Sequence, residues 1–336
     1  MNKSIQFVLV LAVLYLLLPV ALCSQQRQPV SIIFDTDMGP DYDDIGAIAM
    51  LHALADSGEC TILATIASNR SPYIAAVLNV MNTYFNWPGI PVGVVGNSNA
   101  VNISAVQKWD SVLASNYPHN MKTNRQAENA TSLYRKLLAA APDKSVTIVT
   151  VGFLTNMADL LQSGPDQFSP KDGRDLIEQK VKWLVTMAGM FGKEMGAFKE
   201  FNLMKDVPAS LITFNRWPTP IVFSGFEIGA AIFTGLPLIN NASINKSPVK
   251  DVFAMSIPLD PNDKNGRMSW DETAVLVAVR GYEKYFNAVK GKMICNADGS
   301  NNWDPAGTRD YYLVQKIPAA IMEQILNDLI MHQPVK

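Results

Sequence analysis

The stretch Ser31–Ala49, SIIFDTDMGPDYDDIGAIA, sets five aspartates between two apolar flanks. Val30–Phe34 (VSIIF) is short, rich in β-branched residues and uncharged, which predicts a buried strand. Ile45–Leu54 (IGAIAMLHAL) predicts a helix with small and apolar residues on its inner face. Between them lie Asp35, Asp37, Asp41, Asp43 and Asp44, with Gly39 and Pro40 to turn the chain. A fold does not gather so many carboxylates at one strand end unless something offsets their repulsion. A divalent cation does so, and an oxygen-rich set favours calcium or magnesium. A plainer account is a turn followed by a charged helix start, since the dipole favours Asp43 and Asp44 there. That accommodates one or two aspartates and leaves the rest unexplained.

Outward from this unit, strand-like and helix-like stretches alternate. Strands are predicted at Thr61–Ser68, Ile90–Gly96, Val146–Gly152, Trp183–Gly189 and Ile221–Gly225, and helices at Pro72–Phe85, Gln126–Ala140 and Leu154–Gln162. The polar, irregular segment Asn97–Arg125 is expected to form a mobile flap. This alternation predicts a single α/β domain: an open, Rossmann-like, mostly parallel central sheet flanked by helices. In such sheets ligands bind beyond the carboxyl ends of the strands. The aspartate cluster, Asn69, Val151-Gly152 and the segment after Gly189 all fall at that rim.

The chain has 336 residues, 48% of them apolar, and a net charge of -2. Nothing in this charge balance suggests a nucleic-acid binder, which would carry a basic face, so no nucleic acid is expected as partner. Lys3, the apolar run Ile5–Leu22 and the polar Gln25–Gln28 have the layout of a secretory signal over residues 1–23. A catalytic domain is then expected over residues 29–336. Cys23 is alternatively the lipid-bearing residue of a lipoprotein, although Leu22 departs from the small residue usual before it. A retained membrane anchor is the third reading, and the run is short for a bilayer. All three export the chain, as a secreted, periplasmic or membrane-anchored protein. Cys60 and Cys295 remain after cleavage, and whether they are bridged is left open. The triplets Asn102-Ile103-Ser104 and Asn129-Ala130-Thr131 matter only in a host that glycosylates.

DTDMG…DYDD resembles the aspartate signature of the nucleoside hydrolases, the inosine–uridine N-ribohydrolase family. Four later segments resemble that family in the same order: SNR (Ser68–Arg70), TVGFLTNMA (Thr150–Ala158), MAG with EFN (Met187–Gly189 and Glu200–Asn202), and WDETAVL (Trp270–Leu276). The resemblance runs from about residue 30 to residue 332. It implies calcium-dependent hydrolysis of the N-glycosidic bond of ribonucleosides, a role in purine metabolism and nucleoside salvage, and a homo-oligomer by analogy. Asp37, Asp44, Asp271 and the backbone carbonyl of Val151 are the implied metal ligands. Asp37 is the implied general base for a metal-activated water. Asp43, Asn69, Glu200 and Asn202 are the implied sugar-binding residues, with Asp35 supporting the site from behind. Cleavage is expected to pass through a ribosyl cation stabilised by these carboxylates.

The chain departs from the family pattern in three places. The aspartate loop is two residues longer than the short family form, which opens the roles of Asp41 and Asp43. Glu194 stands where an asparagine is usual. Trp270 stands where a histidine precedes the late aspartate, and only His52, His119 and His332 occur in the chain. Histidine acid catalysis is therefore not expected, and His119, in the flap, is the one histidine worth testing. Trp270 could stack on a base or cover the metal site as a core residue. Trp303, in the polar run SNNWDPAG, could line the mouth or pack beneath it. Two alternatives stand beside the hydrolase reading. One is a non-catalytic nucleoside- or sugar-binding relative. The other is a magnesium-dependent phosphatase of the haloacid dehalogenase type, which leaves Asp44, EFN and WDE without a role.

Overall fold

The computed structural model describes residues 28–335. The expected signal segment and Cys23 lie outside the described residues. Among the described residues no helix is long and apolar enough to cross a membrane.

Among the described residues twelve strands form: β1 Val30–Thr36, β2 Cys60–Ala67, β3 Val92–Val94, β4 Glu128–Asn129, β5 Val146–Thr150, β6 Val181–Met187, β7 Ile221–Ser224, β8 Phe233–Thr234, β9 Arg267–Met268, β10 Phe286–Cys295, β11 Asn301–Asp304 and β12 Asp310–Gln315. Ten of them make one sheet in the order β11-β10-β12-β7-β6-β5-β1-β2-β3-β4, and β8 pairs with β9 apart from it. From β12 through to β4 every neighbouring pair is parallel, whereas β10 and β11 close the far edge antiparallel. The expected open, mostly parallel α/β sheet is what forms. Its antiparallel edge was not anticipated, because β10 and β11 carry lysines and asparagines that hide their period.

Alternation along β1 distributes the core. Ile32 and Phe34 join the core on one face of the sheet, together with buried residues of the Asp43–Asp56, Trp270–Arg280 and Ala319–Ile330 helices. Ile33 faces the other side, with Tyr134, Leu160 and Phe214. The Asp43–Asp56 helix is buried along its length from Asp43 to Leu54, so it needs no polar face. It lies beside the Trp270–Arg280 helix, and Gly46 admits the close approach: a Cβ there would come within 2.2 Å of Glu272 Oε1. Both helices start at the same rim, so their N-termini bring Asp43 and Asp44 next to Asp271.

Several expectations are corrected here. The segment predicted as a mobile flap contains a helix, Trp109–Asn116, whose Trp109 and Leu113 are fully buried. The Arg70 amide donates to the Val101 carbonyl at 2.9 Å, tying the segment to the sheet. The helix expected from Gln126 begins at Ala130, because Glu128 and Asn129 join the sheet edge first. Asn129 then caps that helix, accepting from the Ser132 amide at 3.1 Å. Trp303 lies on β11 rather than in a loop, and packs edge-on against Phe191 and Tyr312 at 5.5 and 4.8 Å. Cys60 and Cys295 are both free and buried, in the two cores on opposite faces of the sheet, so no bridge forms between them.

Candidate active site

β1 sits between β2 and β5. The chain runs outward to β2, β3 and β4 on one side, and from β5 to β6 and β7 on the other. The strand order therefore reverses between β1 and β5, and a doubly wound sheet has its crevice at that point. The backbone is stitched there by the Val151 amide, which donates to the Asp35 carbonyl at 2.8 Å. A cleft of about 150 Å³ opens at this place. Asp37, Asp41, Asp43, Asp271 and Glu200 give it carboxylates, Val151 and Asn202 further polar atoms, and Phe201, Phe226 and Trp270 its rings.

Two of these acids, Asp37 and Asp271, share a buried environment with Asp44 behind them. Asp37 and Asp271 are each 4% exposed, and Asp44 is fully buried. Asp271 lies close enough to Asp44 for the two carboxyls to act on one another. Asp44 Oδ1 accepts from the Thr36 hydroxyl, while its Oδ2 is buried without a partner. Burial, and then repulsion from neighbouring aspartates, holds Asp37, Asp44 and Asp271 well above the ordinary carboxylate range. Such a set is short of positive charge. The orphaned Asp44 oxygen and an all-oxygen donor set fit a hard divalent cation. A neighbouring trio, Asp41, Asp43 and Asp44, also brings carboxylate oxygens within 4.8 Å of one another.

The structure adds a residue that sequence reasoning missed. Arg267 reaches Asp43 Oδ1 with Nη2 at 2.9 Å and Nε at 3.2 Å, and Asp41 at 2.6 Å. The Asp271 backbone amide approaches the other Asp43 oxygen at 3.4 Å. Asp43, expected to face a sugar hydroxyl, is thus held on both oxygens and only 1% exposed, although it still lines the cleft. Burial, then the nearby Asp41, pushes its carboxyl up to about 7 against the pull of Arg267.

The remaining expected residues divide into those in the cleft and those behind it. Asn69 lies behind: its amide nitrogen donates to the carbonyls of Asp37 and Ile103 at 2.8 and 2.7 Å, and its oxygen accepts from Ser71 and Ile103 amides. It shapes the aspartate loop and is not among the cleft-lining side chains. Asp35 is also behind, with Oδ2 accepting from Tyr134 at 2.8 Å and Asn156 at 2.9 Å. Glu200 caps the Phe201–Lys205 helix through the Asn202 and Leu203 amides, and burial pushes it up to about 7. Asn202 donates to the Val151 and Met187 carbonyls at 3.0 and 3.1 Å, tying the ends of β5 and β6 together. The Val151 carbonyl keeps a second lone pair for a further partner.

Trp270 lines the cleft and, partly buried, also packs against the core. Its indole N–H donates to the Phe226 carbonyl at 2.9 Å, and its ring lies 5.2 Å from that of Phe226. The histidines are elsewhere. His52 is buried, stacked on Phe85 and held low, at about 4, by its burial. His119 contacts the Tyr117 carbonyl, and His332 pairs with Asp56. Glu194 is exposed and lines no part of the cleft. Of the aromatic pair, Phe201 is the middle residue of EFN and Phe226 follows the end of β7, and neither carried a signal of its own.

A mostly parallel α/β sheet with an acidic cleft at its switch point places the protein in the doubly wound class, whose ligands bind at that crevice. The sequence model of the inosine-uridine preferring nucleoside hydrolases matches residues 32–310, and the chain belongs to that family, whose members hydrolyse N-glycosyl bonds. An inosine-uridine preferring nucleoside hydrolase of Leishmania major is 28% identical over 204 residues, spanning 58% of this chain and 60% of that protein. A plant nucleoside hydrolase superposes with a TM-score of 0.69 at 17% identity, covering 90% of this chain and 99% of the other. The Bacillus anthracis inosine-uridine preferring enzyme gives 0.68 at 15% identity, with the same coverage. At such identities the two structures speak for the fold. The family match leaves no place for the phosphatase alternative.

Proposed function

We propose that this chain hydrolyses the N-glycosidic bond of ribonucleosides, releasing free base and ribose, with calcium as its cation. The observation that carries this reading is the meeting of Asp37, Val151 and Asp271 in one cleft, with Asp44 buried beside Asp271 and one of its oxygens left without a partner. These four would hold the cation. When bound, it supplies Lewis-acid activation of water and orientation of the sugar hydroxyls. Asp37 takes the proton from the attacking water, for it is the carboxylate on the β1 end that faces the cleft. Glu200 and the Asn202 oxygen, whose amide nitrogen is already engaged, meet the sugar, with Asp43 close behind. The carboxylates then stabilise positive charge that develops on the ribosyl group. Asp35 and Asn69 hold the loop that carries Asp37.

The base would lie among Phe201, Phe226 and Trp270. No histidine is near, so departure of the base relies on stacking and on protonation from solvent. Reducing-sugar release from a nucleoside panel, with and without a chelator, tests the reaction. Asp37→Asn is expected to fold normally and lose about 100-fold or more in turnover. Near-normal ribose release by that variant removes Asp37 from the base role. Calcium against magnesium titrations decide the cation. We further infer export through residues 1–23 and a catalytic unit over residues 29–336, which mass analysis of the mature chain tests. Light scattering tests the homo-oligomer suggested by analogy.

A further inference from the structure

The acidic loop offers two overlapping places for a cation. One is the set Asp37, Asp44, Asp271 and the Val151 carbonyl. The other is the trio Asp41, Asp43 and Asp44, whose oxygens lie within 4.8 Å of one another. They share Asp44, the residue whose buried Oδ2 has no partner. What separates them is a side chain from the far end of the chain. Arg267 is 5% exposed and puts Nη2 on Asp41 at 2.6 Å and on Asp43 at 2.9 Å, with Nε adding 3.2 Å to the same Asp43 oxygen. No contact joins it to Asp44, Asp37 or Asp271. Its own position is fixed from several directions. Asp263 lies 3.7 Å from Nη1 and is held in turn by the Tyr42 hydroxyl at 2.5 Å. The guanidinium stacks over the rings of Tyr42 and Trp270 at 4.9 and 5.0 Å. Its strand, β9, pairs with β8 through Thr234, and Gly266 just before it takes φ +109°, where a Cβ would meet the Thr234 carbonyl at 2.6 Å.

We propose that Arg267 is a positioning residue that divides the acidic loop, holding Asp41 as an acceptor for the sugar with Asp43 behind it, and leaving Asp37, Asp44 and Asp271 to a single divalent cation. This deepens the hydrolase reading and rests on it. A planar guanidinium is suited to the task, because it satisfies two carboxylates at fixed angles and is never deprotonated. Asp41 is the outward member of the pair: its side chain is 45% exposed and lines the cleft. It is the carboxylate with room to accept from a substrate hydroxyl. The same guanidinium touches Trp270, so the sugar side and the ring side of the cleft share one anchor.

Calcium titration of the full chain by calorimetry tests this, with calcium alone as the probe. Wild type is expected to bind one calcium. Arg267→Gln is expected to bind two, because the trio loses its built-in cation. Arg267→Lys, which keeps a charge, is expected to return to one. A single calcium in Arg267→Gln overturns the inference. Should that variant fail to fold, Asp41→Asn decides, since its residue is half exposed. It is expected to keep one calcium with affinity within about tenfold of wild type, while KM for inosine rises about tenfold and kcat holds. A larger fall in calcium affinity would make Asp41 a metal ligand and overturn the division. The hydrolase reading fails separately: a wild type that binds one calcium but releases no ribose refutes that reading and leaves the stoichiometry comparison standing.

Discussion

Asp35→Asn tests how the centre is supported from behind. Asp35 is fully buried, accepts from Tyr134 and Asn156 on Oδ2, and has no partner for Oδ1. Burial pushes its carboxyl from the ordinary 3.8 up to about 7, against the opposing hydrogen bonds of Asn156 and Tyr134. The neutral form is thus favoured in the folded state. Its contribution to stability is full below the unfolded value and is lost as pH rises through about 7. A difference of about three pH units, at roughly 1.36 kcal/mol each, amounts to about 4 kcal/mol. Asparagine keeps the shape and an acceptor for Tyr134 and Asn156 but does not titrate. Its amide N–H would face the place where Oδ1 lacks a partner, which costs about 1–3 kcal/mol. At about pH 8 the calcium-free variant should therefore be about 1–3 kcal/mol more stable than wild type, and at about pH 4 less stable by a similar amount. Urea unfolding of both proteins in chelator, at pH steps across this window, measures the crossing. A difference between the two proteins that stays constant with pH would refute the reasoning, because the other buried acids contribute equally to both.

Three further outcomes follow from the same geometry. Calcium at about 100 times its dissociation constant should stabilise wild type by about 2.7 kcal/mol, or roughly 3–5 °C in melting temperature, and Asp271→Ala should show no such shift. An unaltered calcium response in that variant would remove Asp271 from the ligand set. Trp270→Ala should lower kcat/KM for purine nucleosides about tenfold more than for a nitrophenyl riboside, whose departure needs no help. Equal losses on both would assign Trp270 to support of the acidic centre alone. Gly46→Ala should cost about 1–3 kcal/mol in urea unfolding, since the added methyl meets the Glu272 carboxylate. A variant as stable as wild type would show that the two helices can part without penalty.

Much of this arrangement was legible because it is carried by local pattern. A continuous apolar run flanked by turn residues reads as a parallel strand, and the aspartates after β1 need a strand end and a helix start to hold them. The sheet's edge was illegible for the opposite reason: Lys290, Lys292, Asn301 and Asn302 stand in strands that lie at or beside the edge, where polar residues carry no penalty. Asn69 was correctly placed at a strand end, yet its role there could not be read. Its four hydrogen-bonding positions go to backbone atoms of Asp37, Ser71 and Ile103, and only the folded loop reveals that. Segment 97–125 looked irregular by composition, although Trp109 and Leu113, four apart, already held the signal of a helix face. Arg267 is the clearest limit. It has no motif, and its partners lie some 220 residues earlier in the chain. The longer aspartate loop, which the sequence presents only as an extension, brings Asp41 to a cleft rim where Arg267 can hold it. An added carboxylate at a buried centre costs stability unless a cation comes with it. The loop and the arginine therefore make sense together, as a charge pair whose two halves come from opposite ends of the chain.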